Sequence, residues 1–162
     1  MIREEELKDK GNERFIEFSL GTEDYCIPLL MVKEVISVPD TTPIPNAPSY
    51  FLGVMNLRGQ VISIIDLRKK LGIKNQDPPT EEAVIIVDLG GIFIGVIIDS
   101  INKVLDFNMK NEVEQVPEIE SRSNAKYITG VYKKEKGLTI LLDVASLLDV
   151  KHLQRTEYKE AI

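Results

Sequence analysis

The sequence offers few side chains that could carry out chemistry, and their spacing decides what each can do. His152 is the sole histidine and Cys26 the sole cysteine, so neither a cysteine–histidine metal set nor a disulfide within the chain can form. His152 has no ligand-type neighbour at useful spacing and reads as a surface residue. The carboxylates Glu112, Glu114, Glu118 and Glu120 cluster in one polar stretch. They lack the glycine-anchored spacing of a calcium loop, and nothing gives them the unlike environments that a general acid and base need. Gly90-Gly91 lacks the glycine spacing and following helix of a phosphate-binding loop and reads as a hairpin turn. The expectation is no catalytic residue, no metal and no cofactor.

One polar group stands apart. Gly53-Val54-Met55-Asn56-Leu57-Arg58-Gly59, followed by Gln60 and the apolar run Val61 to Leu67, is a strand, an Asn-x-Arg-Gly turn and a second strand. Gly59 permits the tight turn, so Arg58 projects from a strand end. Asn56, Leu57, Arg58 and Gly59 are the motif.

The elements around this turn recur. Phe15 to Leu20 alternates as a strand should, and Gly21 with polar Thr22-Glu23-Asp24 turns the chain into Tyr25 to Leu29. Ala83 to Leu89, Gly90-Gly91 and Ile92 to Ile98 repeat that hairpin. A single offset carries Leu20 onto Leu89, Ile27 onto Val96, Val32 onto Ile101 and Val35 onto Val104. A slightly larger one carries Gly53-Val54 onto Gly130-Val131 and Asp66-Leu67 onto Asp143-Val144. Each unit reads as five strands and a short helix, the helices at 66–71 and 143–148 opening on a capping aspartate. Duplication explains this ordered recurrence.

The predicted fold is mainly β: two small five-stranded barrels side by side with short helices, subdomain 1 at about 14–75 and subdomain 2 at about 83–150. A Pro-Pro linker at 74–80 joins them, and 1–13 and 151–162 form flexible or helical tails. The 162 residues, 43% apolar, suffice for a core. A net charge of −6 without a basic stripe argues against nucleic acid. The N-terminus has no signal-like basic-then-apolar pattern, and no apolar run approaches the ~18 residues of a membrane helix. A reducing cytoplasm fits the lone cysteine.

With these features the chain resembles the CheW family of bacterial chemotaxis coupling proteins. The resemblance rests on Gly53 to Gly59 with Val61 to Leu67, on Ile44-Pro45-Asn46-Ala47-Pro48 upstream, and on Met31-Val32-Lys33-Glu34-Val35-Ile36 before that. It implies a fold of two five-stranded SH3-like barrels, no catalytic activity, and a scaffold that links the helical coiled-coil tips of membrane chemoreceptors to the regulatory domain of the histidine kinase CheA. The protein would be cytoplasmic, recruited to receptor arrays. Receptor contact is implied at a groove between the barrels lined by Ile16, Leu29, Val32, Val35 and Ile101, with Glu34 and Arg58 nearby and able to pair. The kinase would meet a different surface. A CheV-type coupling module of a related pathway is the alternative; it is disfavoured because no phosphoacceptor domain follows residue 150.

Overall fold

Alternating side chains and turns that need positive φ build the strands in sequence order. The computed structural model describes residues 11–74, 81–116 and 125–148. The tail at 151–162, His152, Glu118, Glu120 and nearly all of the linker lie outside the described residues. Strand β1 (Asn12–Leu20) turns at Gly21 into β2 (Glu23–Pro28), and one 3-10 turn (Leu29–Met31) leads to β3 (Val32–Ser37). Strands β4 (Phe51–Leu57) and β5 (Gln60–Asp66) precede helix α1 (Leu67–Leu71). Asp66 accepts from the Lys69 amide at 3.3 Å and Gly72 ends the helix in the left-handed conformation. The second copy gives β6 (Ala83–Asp88), β7 (Phe93–Ile98), β8 (Ser100–Asn108), a short β9 (Val113–Glu114), β10 (Ile128–Lys133), β11 (Leu138–Leu142) and α2 (Val144–Leu148). Asp143 accepts from the Ser146 amide and hydroxyl. The residues expected as a tail at 12–13 instead extend β1, because Asn12 and Glu13 pair with Asn108 and Phe107 of β8.

The sheets do not follow the halves of the sequence. One sheet has the order β8-β1-β2-β11-β10-β9 and the other β3-β6-β7-β5-β4. Each is therefore a hairpin from one copy joined to strands of the other. The expected mainly β fold is present as two sheets; each draws strands from both copies, and the short β9 adds a sixth strand to the first. Local alternation specifies a strand but not its partner. Exchange leaves neither half able to complete a sheet alone.

The exchange obeys the repeat residue by residue. Cys26 pairs with Leu141 where Gly95 pairs with Ile64, both in parallel ladders. Ile16 faces Val104 where Ile85 faces Val35. Both edge ladders carry an extra residue at the equivalent place: Lys33 is skipped between Val32 and Glu34, and Asn102 between Ile101 and Lys103.

The core has three parts. Phe18, Leu20, Ile27, Ile85, Val87 and Val96 belong to a large cluster drawn from both sheets, joined by both helices. Phe15, Cys26, Leu105, Phe107 and Leu141 fill the interior of the six-stranded sheet, and Ile62, Ile64, Val84, Ile86 and Ile97 that of the five-stranded one.

Candidate functional site

Strict alternation would place Val32 and Val35 on opposite faces of β3. The bulge at Lys33 undoes this. Residues directly opposed in a ladder share a face, and Val32 and Val35 oppose Val87 and Ile85, both in the shared cluster. Through the bulge at Asn102, Ile101 and Val104 likewise oppose Phe18 and Ile16 of the same cluster. Four aliphatic side chains thus face the seam between the sheets from two edge strands, β3 and β8. Val35 is 43% exposed, Ile101 36% and Val104 53%, while Val32 and Leu29 are half-buried against the core. Val35, Ile101 and Val104 are thus aliphatic side chains left exposed on edge strands.

Ile16 does not line this surface. It is 6% exposed and belongs to the core beneath Val104. Two residues are missing from the sequence reading: Val104, which the repeat already aligned with Val35, and Leu30, whose 98% exposure in the 3-10 turn no local pattern signals.

The Asn-x-Arg-Gly segment forms a two-residue hairpin turn between paired Leu57 and Gln60. Both central residues have positive φ, Arg58 at 50° and Gly59 at 87°, as a type I′ turn demands. Asn56 Oδ1 accepts from the Gly59 amide at 2.8 Å, and Leu57 packs on the interior cluster. Glycine takes this conformation freely; arginine does so at a cost. Arg58 reaches Glu34 with two fork bonds, Nη1 to Oε1 and Nη2 to Oε2, each 2.8 Å. The hydrogen bond from Arg58 holds the Glu34 carboxyl below its ordinary range. Glu34 opposes Ile86 of the interior cluster, so the pair lies on the reverse face of β3 from Val32 and Val35.

Several other charged groups are buried or partly buried. Glu17, 2% exposed, accepts from the Thr139 hydroxyl at 2.6 Å and lies 3.2 Å from Lys134 Nζ. Lys134 also donates to Asp24 at 2.7 Å, and the Asn102 amide donates to Glu17, Ser19 and Asp24. Burial works against the Asp24 carboxylate, but bonds from Lys134, Ser19 and Asn102 outweigh it and hold its pKa down. Burial, then the charge of Glu17, pushes the Cys26 thiol up to about 12. Arg68 of α1 forms a buried bidentate pair with Asp99. Among the described residues no three His, Cys, Asp or Glu side chains gather as a metal site.

The CheW-like domain family profile matches residues 14–152. A probable chemotaxis protein CheW of Rhizobium etli is 30% identical over 140 residues, covering 86% of this chain and 89% of that one. The chemotaxis protein CheW of Treponema pallidum is 32% identical over 151 residues, 90% and 88% of the two chains. The crystal structure of the scaffolding protein TtCheW from Thermoanaerobacter tengcongensis superposes with a TM-score of 0.75 at 29% identity, over 83% of this chain and 86% of that one. The exchanged sheets, the Asn-Leu-Arg-Gly turn and these matches along the same stretch agree, and the chain belongs to the CheW-like domain family.

Proposed function

We propose that this chemotaxis coupling adaptor works by binding the helical cytoplasmic tip of a chemoreceptor along the seam between its sheets while another surface holds the histidine kinase CheA. The observation that carries the reading is the aliphatic set on edge strands β3 and β8, turned toward the shared cluster by a bulge in each strand, of which Val35, Ile101 and Val104 are exposed. An amphipathic helix lays its apolar stripe into such a groove. Leu29 and Leu30 extend the surface, and Ile16 supports it from beneath. A partner lying along β3 also reaches the strand's other face, where Glu34 and Arg58 set orientation. Exposed ion pairs add little stability and act mainly on specificity. No helix among the described residues is long and apolar enough to cross a membrane; in this reading the receptor brings the protein to the membrane array. The chain acts as a scaffold rather than an enzyme.

The test is co-sedimentation with a receptor cytoplasmic fragment and with CheA, separately. Wild type is expected to pellet with both. The double variant Val35→Glu/Val104→Glu is expected to lose the receptor and keep the kinase. Failure of wild type to bind either partner, or receptor binding undiminished in the double variant, overturns the proposal.

A further inference from the structure

The two bulges that shape the seam have the same build in both copies, although their side chains differ. The extra residues, Lys33 in β3 and Asn102 in β8, occupy equivalent places in the repeat. Each reaches the equivalent residue of the adjoining hairpin. The Lys33 ammonium lies 3.7 Å above the ring of Phe93. The Asn102 amide donates at 3.1 Å to Asp24, the repeat counterpart of Phe93, and also to Ser19 at 3.0 Å and Glu17 at 3.3 Å. Glu17 alternates with Ile16 and Phe18 along β1, and Phe93 packs on the interior cluster of the five-stranded sheet. Both side chains therefore lie on the reverse face of their strands from the seam.

Against β1, Ile101 opposes Phe18, Lys103 opposes Glu17 and Val104 opposes Ile16. If residue 102 took a place in this ladder while 103 and 104 stayed, it would oppose Phe18, and Ile101 would oppose Ser19 and turn to the reverse face. In β3 the same step would put residue 33 opposite Val87 and Val32 opposite Asp88. One aliphatic side chain would leave each rim of the seam. A regular ladder pairs one residue more than a bulged one does, so extrusion needs a compensating cause. In the regular register Asn102 or Lys33 would face the apolar shared cluster, where a polar group without a partner is costly. In the bulged register each has its partner.

We propose that Lys33 and Asn102 are positioning residues for the seam: their side chains, held on the reverse face, lock the two bulges and so keep Val32 beside Val35 and Ile101 beside Val104. The functional weight of this lock rests on the seam being the receptor surface. One rim is held by a cation over an aromatic ring and the other by amide hydrogen bonds. The role belongs to the side chain and not to the extra residue as such. A strand that lacks residue 102 altogether has Ile101 and Val104 two positions apart, on one face with no bulge at all.

The test reads register from cross-strand proton contacts in the full isotope-labelled chain and measures binding to a receptor cytoplasmic fragment and to CheA separately. Asn102→Ala is expected to bring residue 102 opposite Phe18, to weaken receptor binding at least about fivefold through the loss of one aliphatic contact, and to leave CheA binding unchanged. Deleting Asn102 is expected to keep Ile101 opposite Phe18 and receptor binding at the wild-type level. Lys33→Ala and deletion of Lys33 should behave alike on the other rim, read at Val32 and Val87. A residue that only stabilises the fold would make deletion at least as harmful as alanine. Wild-type register in both alanine variants, or deletion variants that lose the receptor as the alanine variants do, overturns the proposal. Asn102→Lys/Asp24→Phe, which transplants the pair of the other copy, covers the case in which a deletion variant does not fold; it should restore the bulged register that Asn102→Ala loses, and failure to restore it also overturns the lock. Register is read without the receptor, so a wild type that binds no receptor while the registers shift as stated removes the seam's function and leaves the lock standing.

Discussion

The two sheets place equivalent residues in contact yet fill those contacts with opposite chemistry. In the six-stranded sheet Glu17 meets Thr139 and Lys134, and Asp24 meets Asn102. The repeat replaces these with Ile86, Ile62, Leu57, Phe93 and Lys33. Ile86, Ile62, Leu57 and Phe93 share one apolar cluster, and the Lys33 ammonium sits 3.7 Å above the Phe93 ring. On the other flank the polarity reverses, with Arg68–Asp99 in the five-stranded sheet and an open cleft beside Ala145 in the six-stranded one. Backbone register decides which residues touch. Polarity is then a property of the whole contact set, because a buried charge without its partners costs more than an apolar replacement of the set.

The largest effect should come from breaking one such set halfway. Lys134→Leu leaves Glu17 buried without its cation and is expected to cost about 3–5 kcal/mol in a denaturant melt. Converting the quartet with Glu17→Ile, Thr139→Ile, Lys134→Leu and Asp24→Phe should restore most of that loss. A quartet variant as unstable as the single one would break the equivalence of the two sheets.

Arg68→Ala leaves the Asp99 carboxylate, among the described residues, with the Gly21 amide alone and should cost about 3 kcal/mol, whereas Ala145→Ser at the equivalent position should leave the melt unchanged. An equal effect at both would show that the helices are not held differently.

Acid sharpens the contrast further. Asp24 has a folded pKa below its ordinary 3.8, so its contribution is present above that value and disappears as pH falls through the lower folded one. Stability of wild type against pH should fall more steeply than that of the quartet variant in that window. Parallel profiles would remove Asp24 from the account. Glu34, also held low, contributes in the same direction to both proteins.

Cys26, with its thiol near 12, should resist alkylation by iodoacetamide at about pH 8 until the chain unfolds. Prompt reaction in the native state would show the interior of the six-stranded sheet to be open.

The smallest effect on stability is expected at the exposed turn. Arg58→Asn removes the Glu34 pair yet suits the left-handed conformation better, so the melt should not drop, while receptor co-sedimentation should weaken. A drop in stability would make Arg58 a structural residue. The swap Glu34→Arg/Arg58→Glu should recover receptor binding lost in either single reversal; failure to recover it would count against the pair as an orienting unit.

Much of the fold was legible because it is local. Alternation marked both hairpins, Asp66 and Asp143 marked both helix starts, and Gly59 marked the turn that presents Arg58. Val35 and Ile101, read as groove residues from the resemblance, are exposed on edge strands. Ile16 was misplaced because exposure depends on what another strand covers, and Val104 was overlooked although the repeat paired it with Val35. The Arg58–Glu34 pair was foreseen, but not that it lies on the reverse face from the valines.

The sequence by itself determined the duplication, the order of strands and turns, and the Asn-Leu-Arg-Gly hairpin, since two-residue periodicity, capping and positive φ are set by neighbours along the chain. Only the tertiary structure decided that the copies exchange hairpins, that Lys33 and Asn102 bulge out of their ladders, and that Val32 joins Val35 on one face. Those outcomes depend on pairing between strands distant in sequence, where adding one residue to one side of a ladder reverses the face of everything beyond it.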